Sequence, residues 1–204
     1  MDNAEKNIIG VNISFSTLPY GKCESDTLSH LYKLRYQTFK ERLDWEVNCY
    51  DNLEFDEYDG EHATYIIGKI NGLVICAVRF ICISHPNMIT GTFGKYFNLS
   101  GIDHKSKHVE SSRFFVDKNI VHMLKLRNVS HSLFLEMFDF AKKCDYKSIL
   151  TIVSKPMLQI LNRSGWNLEI LQRAEYSEKE TIFLVELFLD RQSRLQILRK
   201  VNIT

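Results

Sequence analysis

Several familiar chemistries are missing from this chain, and each absence removes a class of function. There is no C-x-x-C pair, no H-E-x-x-H, no G-x-S-x-G elbow and no Rossmann fingerprint, so zinc ribbons, zincins, α/β-hydrolases and dinucleotide sites lose their signatures. The glycines of M-I-T-G-T-F-G-K-Y-F fit neither G-x-G-x-x-G nor a P-loop. Charge of one sign is lacking too: 26 Lys plus Arg against 25 Asp plus Glu leave +1, with no bulk basicity to recommend nucleic acid. No apolar run reaches the roughly 20 residues of a membrane span, and the opening M-D-N-A-E-K lacks the basic start and apolar core of an export signal. A cytoplasmic protein with no membrane partner is therefore expected. Five cysteines cannot all pair internally, and Cys76 and Cys82 sit in an apolar run as small hydrophobes, which fits a reducing compartment. The histidines His30, His62, His85, His104, His108, His122 and His131 are scattered, so no metal is expected.

What remains is a normal core, 45% hydrophobic, in 204 residues without repeat, low-complexity tract or linker, which predicts one domain over 1–204. A strand is expected around Ile8 to Phe15, then a helix from Asp26, capped by Ser25 or Asp26, with Leu28, Leu31 and Leu34 as anchors. Arg35, Phe39 and Arg42 fall at i, i+4 and i+7, one helical face, either a snorkelling edge or an unusual core stripe. Residues 43–60 are too acidic for a buried element and too aromatic for a plain linker. Trp45, Tyr50, Phe55 and Tyr58 are placed to pin a long loop to the core, as a surface connection or a lid. Asp56 and Asp59 face together if that loop makes a helical turn, where they would attract a cation.

Ala63 to Ile70 and Leu73 to Ile83 read as a hairpin joined at Asn71-Gly72. Arg79 interrupts the otherwise apolar second strand. It requires either an exposed edge or a partner, and Asp56, Asp59 and Glu110 are available. A polar connection through Lys107 precedes a strand over 109–116, whose V-E-S-S-R-F-F carries Glu110 and Arg113. Strand periodicity sends those two to opposite faces, so they share a site only across a bulge or a strand end. A helix from Ser130 to Lys143 aligns Leu133, Phe134, Met137, Phe138 and Ala141 in one stripe, core by periodicity and otherwise an acyl pocket. A buried strand over 148–153 leads to a helix with Pro156 near its start, Met157, Ile160 and Leu161 on its apolar face, and Gly165 at its end. Glu169 to Gln172 and Thr181 to Leu189 form a last strand pair before a short basic helix. The sum is a mixed α/β sheet with helices on both faces.

In L-R-Y-Q-T-F-K-E-R-L-D-W-E-V at 34–47, E-F-D-E-Y-D at 54–59, V-R-F at 78–80, E-S-S-R-F at 110–114 and T-I-V-S-K-P-M-L-Q-I-L-N-R-S-G-W at 151–166, the chain resembles the acyl-homoserine-lactone synthases, the autoinducer synthases of quorum sensing. The resemblance covers most of residues 25–190. It implies an α-β-α sandwich like that of the GCN5-related N-acetyltransferases, with a V-shaped substrate cleft. It also implies synthesis of an N-acyl-homoserine lactone from S-adenosylmethionine, a consumed substrate rather than a cofactor, and a fatty acyl thioester on acyl carrier protein. Arg35, Phe39, Trp45, Asp56, Asp59, Arg79, Glu110 and Arg113 match the family's characteristic set. Glu110 is the leading base or water-positioning residue and Asp59 the second. Arg113 either orients Glu110 or holds a carboxylate. Asp56 and Asp59 either face the sulfonium or organise Arg35 and Arg79, while Phe39 and Trp45 close an aromatic surface over substrate. Thr151 matches a position associated with 3-oxoacyl chains, and Leu133, Phe134, Met137, Phe138 and Met157 are candidates to surround the acyl tail. Arg163 matches a carrier-binding position, and Lys142, Lys143, Lys147 and Lys155 are further basic candidates, each as readily a solvated residue. The rivals are an acyl-CoA acetyltransferase, disfavoured by D-K-N-I-V-H-M-L-K-L-R-N after Val116, which has no glycine to cradle a pyrophosphate, and an inert binding protein on the same scaffold.

Overall fold

The computed structural model describes residues 12–102, 107–178 and 180–202. The opening residues, the 8–11 portion of the expected first strand and His104 lie outside them. Strand β1 (Ser14–Pro19) runs further than expected and stops at a proline that cannot continue the ladder. Helix α1 (Ser25–Arg35) passes directly into a π-helical turn (Tyr36–Arg42). A small hairpin, β2 (Cys49–Tyr50) and β3 (Leu53–Glu54), then precedes the long hairpin of β4 (Thr64–Ile70) and β5 (Leu73–Cys82). The long hairpin turns at Asn71-Gly72 with φ of 49° and 83°, the left-handed pair that a two-residue turn requires.

After an irregular connection come β6 (His108–Val116), a short α2 (Lys118–Met123), α3 (Val129–Lys143), β7 (Ser148–Ser154), α4 (Lys155–Ser164), β8 (Leu168–Ser177), β9 (Glu180–Phe188) and α5 (Arg191–Val201). Gly165 ends α4 at φ 80°, and of the final strand pair β8 is longer at both ends than expected, whereas β9 keeps its expected length one residue earlier. Seven strands form one sheet in the order β1-β4-β5-β6-β7-β9-β8. Every neighbouring pair is antiparallel except β6 and β7.

Side-chain alternation sends the two faces of the sheet into different layers. Ile66, Val78, Phe80, Val109, Ile149 and Val185 pack with the α3 stripe Leu133, Phe134, Met137 and Phe138, and with Leu158 of α4 and Ile197 of α5. Tyr65, Ile67, Ala77, Ile81 and Phe115 meet Leu31 and Leu34 of α1 on the opposite face. Beside them Ile89 and Phe97, from the connection before β6, cover Leu150, Ile182 and Leu184.

The parallel pair β6 and β7 matters most for function. They are in register only at His108 with Ser148, Val109 with Ile149 and Glu110 with Leu150. Past that point β6 stays paired with β5, and β7 with β9, so the two strands diverge as the arms of a V.

Candidate active site

Five local departures from ideal geometry bring distant charges together beneath α1. The first is the π turn. The Leu43 N–H reaches back to Thr38 O at 3.2 Å, a five-residue spacing, and this takes Arg42 off the face of Arg35 and Phe39 to an exposed position. The expected three-residue stripe is thus two residues, and both are buried rather than snorkelling. In the second, Asp44 turns left-handed (φ 53°), the Trp45 N–H closes on Phe39 O at 2.9 Å, and the indole stacks on the Phe39 ring at 5.4 Å and 8°. Third, the β2–β3 turn is left-handed at Asp51 and Asn52, which short polar side chains tolerate, and it folds Glu54 inward.

Fourth, residues 56–59 make the expected single turn: the Asp59 N–H donates to Asp56 O at 3.0 Å and the Asp56 N–H to Asp59 Oδ2 at 2.9 Å. Fifth, β6 bulges. Arg79 pairs Ser112 and Ala77 pairs Phe115, so β6 spends one extra residue there, and Arg113 sits at φ 55°. Ser112 and Arg113 therefore both reach the α1 side that Glu110 faces, which meets the geometric requirement set by the sequence.

The resulting cluster is buried and almost fully paired. The Arg35 Nε donates to Glu54 Oε2 at 2.5 Å and its Nη1 to Asp59 Oδ1 at 2.8 Å. The Arg79 Nη1 donates to Asp56 Oδ1 at 2.5 Å and Asp59 Oδ1 at 2.8 Å, and its Nε to Ser112 Oγ at 3.2 Å. Arg113 Nη2 lies 2.8 Å from both Glu54 Oε1 and Asp56 Oδ2. Tyr65 donates its hydroxyl to Asp59 Oδ1 at 2.6 Å. Arg79 is a central-strand residue with no exposure, so the exposed-edge alternative is ruled out. Asp56 and Asp59 do attract cations, namely guanidinium groups. Burial alone would raise the Asp59 pKa, but Arg35 and Arg79 outweigh it and hold that carboxyl well below the usual range. The same acids overcome burial at Arg35 and Arg79 and keep both firmly charged.

Glu110 differs from its neighbours. It is 1% exposed, and its Oε2 accepts the Ile89 N–H at 2.8 Å, while Oε1 has no hydrogen-bond partner among the described residues. Burial pushes its carboxyl up, against the opposing pull of Arg79, the Ile89 amide and the Ser112 hydroxyl. Arg113 binds Glu54 and Asp56 of the acidic loop, and among the described residues no hydrogen bond joins it to Glu110. With Glu110 ionised, the three guanidinium groups of Arg35, Arg79 and Arg113 face four carboxylates, an excess of one acid.

The other candidates lie outside this cluster. The Thr151 Oγ1 donates to Ser111 O at 2.9 Å, just beyond the last paired residues of β6 and β7. Leu133, Phe134 and Met137 are buried on α3 with Phe138, and Met157 is half-buried beside them. Phe114 from β6 stacks on Phe134 at 5.0 Å. They form the packed wall behind the V. Lys142, Lys143, Lys147, Lys155 and Arg163 are all exposed. Lys147 precedes β7 and Lys155 follows it, so a strand of roughly 23 Å separates them and they do not form one patch.

Sequence reading missed Glu54, which is fully buried between Arg35 and Arg113. The signal was its i, i+2 spacing from Asp56, one face of an extended segment. Tyr65 looked like an ordinary strand aromatic. The Ile89 amide belongs to a turn that no pattern announces.

Residues 20–197 match the family model described as autoinducer synthase. An acyl-homoserine-lactone synthase of Dickeya chrysanthemi is 46% identical over 193 residues, 94% of this chain and 88% of that protein. Among solved structures, the AHL synthase LasI aligns with a TM-score of 0.81 at 20% identity, over 96% of this chain and 99% of its own. A CoA-dependent acyl-homoserine lactone synthase, BjaI, solved with SAM and isopentyl-CoA, aligns at 0.82 and 18%, over 93% and 90%. At such identities these structures carry the fold, a mixed sheet of the GCN5-related acyltransferase type, as expected from sequence.

Proposed function

Because the chain belongs to the autoinducer synthase family and is an acyl-homoserine-lactone synthase, we propose that the acid–arginine cluster receives S-adenosylmethionine and that Glu110 is the base for its acylation. The reaction joins an acyl thioester to S-adenosylmethionine and releases methylthioadenosine. One observation carries the assignment: Glu110 is buried where β6 and β7 part, with Oε1 lacking a hydrogen-bond partner among the described residues.

The α-amine of S-adenosylmethionine must lose a proton before it attacks the thioester carbonyl, and Glu110 Oε1 accepts that proton directly or through one water. The amide bond forms as the C–S bond breaks, and the proton returns to the departing thiolate. A carboxyl raised by burial is the better base near neutral pH, because its proton affinity approaches that of the amine. The single excess acid suits a substrate with a sulfonium centre. In the second step the substrate's own carboxylate attacks its γ-carbon and expels methylthioadenosine. That leaving group is already activated, so ring closure needs orientation more than acid. Arg35, Arg79 and Arg113 hold Asp56, Asp59 and Glu54 in fixed positions, and the Phe39–Trp45 stack covers the same side.

For the acyl donor we assign acyl carrier protein, supported by the glycine-free segment after β6, and for the acyl group a 3-oxo chain. The support for the 3-oxo group is the Thr151 hydroxyl at the vertex of the V, which donates a hydrogen bond to Ser111 O and can redirect that hydrogen bond to a 3-oxo carbonyl. Both substrates belong to the cytoplasm, where we place the protein. No helix among the described residues is long and apolar enough to cross a membrane. Incubation of the purified protein and S-adenosylmethionine with matched plain and 3-oxo thioesters, each on carrier protein and on CoA, followed by mass spectrometry of the lactones, tests every part. The expected product is the 3-oxo lactone from the carrier. Equal rates with plain and 3-oxo chains reject the Thr151 assignment, and absence of any lactone rejects the reading of the site.

A further inference from the structure

Beyond Val116 the chain builds a surface that the reaction chemistry above does not use. Residues 118–135 contain no Asp or Glu, in a chain that carries 25 of them. Within that stretch Lys118, His122, Lys125 and Arg127 are exposed and line a shallow groove of about 570 Å³ floored by Val121 and Leu126. Met123 and Leu124 stand beside it, 65% and 39% exposed. Exposed Lys107, Arg173 and Arg194 each hold a carboxylate, whereas among the described residues Lys118, Lys125 and Arg127 pair with none and stand together on one surface that has no acid of its own. The position matters as much as the charge. α2 begins two residues after β6 ends, on the arm of the V that leads back to Glu110, and Lys118 lies eight residues from Glu110 along extended chain, roughly 25 Å.

We propose that this α2 surface docks the acyl carrier: an acidic protein domain lies on Lys118, Lys125 and Arg127 with apolar contact at Met123 and Leu124, and its phosphopantetheine arm enters the V toward Glu110. The proposal rests on the carrier-donor reading above and gives it a location. A flexible thioester arm needs its protein anchored at the open end of the cleft, and Lys142, Lys143 and Lys147 sit at the closed end, before β7. Of the lysine candidates Lys155, at the start of α4, shares the open end with α2. Charge complementarity selects an acidic partner, and the apolar floor gives a short-range contact that a simple anion would not use.

The experiment compares the full chain with a triple variant, Lys118→Glu, Lys125→Glu and Arg127→Glu, and with a control, Lys22→Glu with Arg191→Glu, at exposed basic residues outside every candidate site. KM and kcat are read for acyl carrier and for S-adenosylmethionine. The α2 variant is expected to raise KM for the carrier roughly tenfold or more, with kcat and the S-adenosylmethionine KM within about twofold and the control unaffected. The wild-type carrier KM should also rise steeply with salt, and this dependence should flatten in the α2 variant. A carrier KM that is unchanged in the α2 variant, or moved equally by the control, overturns the surface and leaves the donor reading intact. A wild-type protein that consumes acyl-CoA but not acyl carrier overturns both.

Discussion

Glu110 and Asp59 lie in one site, yet their surroundings push them in opposite directions, and this separates a base from a structural acid. Asp59 accepts from Arg35, Arg79 and Tyr65, so its charged form is fully compensated and a proton has little reason to bind. Glu110 has one backbone donor, and among the described residues its Oε1 has no hydrogen-bond partner; burial outweighs the pull of Arg79, the Ile89 amide and Ser112, so its charged form is costly and its proton affinity high. Glu110→Gln should lower kcat by about 10²- to 10³-fold while leaving binding of S-adenosylmethionine largely intact. The linkage sign adds a second signature. A carboxyl raised in the folded state stabilises most below the ordinary carboxylate range, and that contribution fades as pH rises through the raised value. The Gln variant should therefore equal or exceed wild type in thermal stability at neutral pH. The wild-type rate should climb with pH through a midpoint above that of a free glutamate. An unchanged kcat removes Glu110 from the base role.

The elements that place these side chains were unevenly legible. The Asn71-Gly72 hairpin, the α3 stripe, the Pro156 start and the Gly165 end of α4 each rest on a local rule, and each was read from sequence. The π turn and the β6 bulge break the periods on which such reading depends. For that reason Arg42 was grouped wrongly, and the union of Glu110 with Arg113 was a condition rather than a conclusion. α2 escaped because six residues are too few to show a helical period, and β8 was read short because an edge strand with polar residues on both faces lacks clean alternation. The connection before β6 was equally opaque, yet it supplies the Ile89 amide and is tied to the acidic loop by Tyr58. Thr92 donates its backbone N–H to the Tyr58 hydroxyl at 3.1 Å. A methyl group on Gly91 would lie 2.1 Å from that hydroxyl and 3.1 Å from Asn87 O, so Gly91→Ala must displace the tyrosine from Thr92 and from its place over Arg79. The expected cost is about 1–3 kcal/mol by denaturant unfolding, with a fall in kcat/KM as Ile89 moves from Glu110. Gly60→Ala, with nothing within 4 Å, is the matched change that should leave both unaltered.

Across the whole molecule, the charged centre lies beneath α1, packed on the α1 face of the sheet, so its state of ionisation is felt by the fold and not only by the substrate. Arg35 and Arg79 are fully buried, and each depends on acids drawn from the single acidic loop, Glu54, Asp56 and Asp59. Protonating those acids strands buried guanidinium charge, and the desolvation cost is then no longer offset. Because the folded-state pKa of Asp59 is depressed, its contribution is complete above the ordinary carboxylate range and is lost progressively as pH falls from about 5 through the depressed value. Wild-type melting temperature should therefore drop steeply on acidification. Asp59→Asn should cost about 3–5 kcal/mol at neutral pH, since one acceptor shared by Arg35 and Arg79 loses its charge. As pH falls from about 5 the gap between the two proteins should narrow, and it closes only once pH has passed below the depressed value of Asp59. A constant gap between the two melting curves across the whole acid range would mean that Asp59 titrates as an ordinary surface acid and that the cluster does not hold α1 to the sheet.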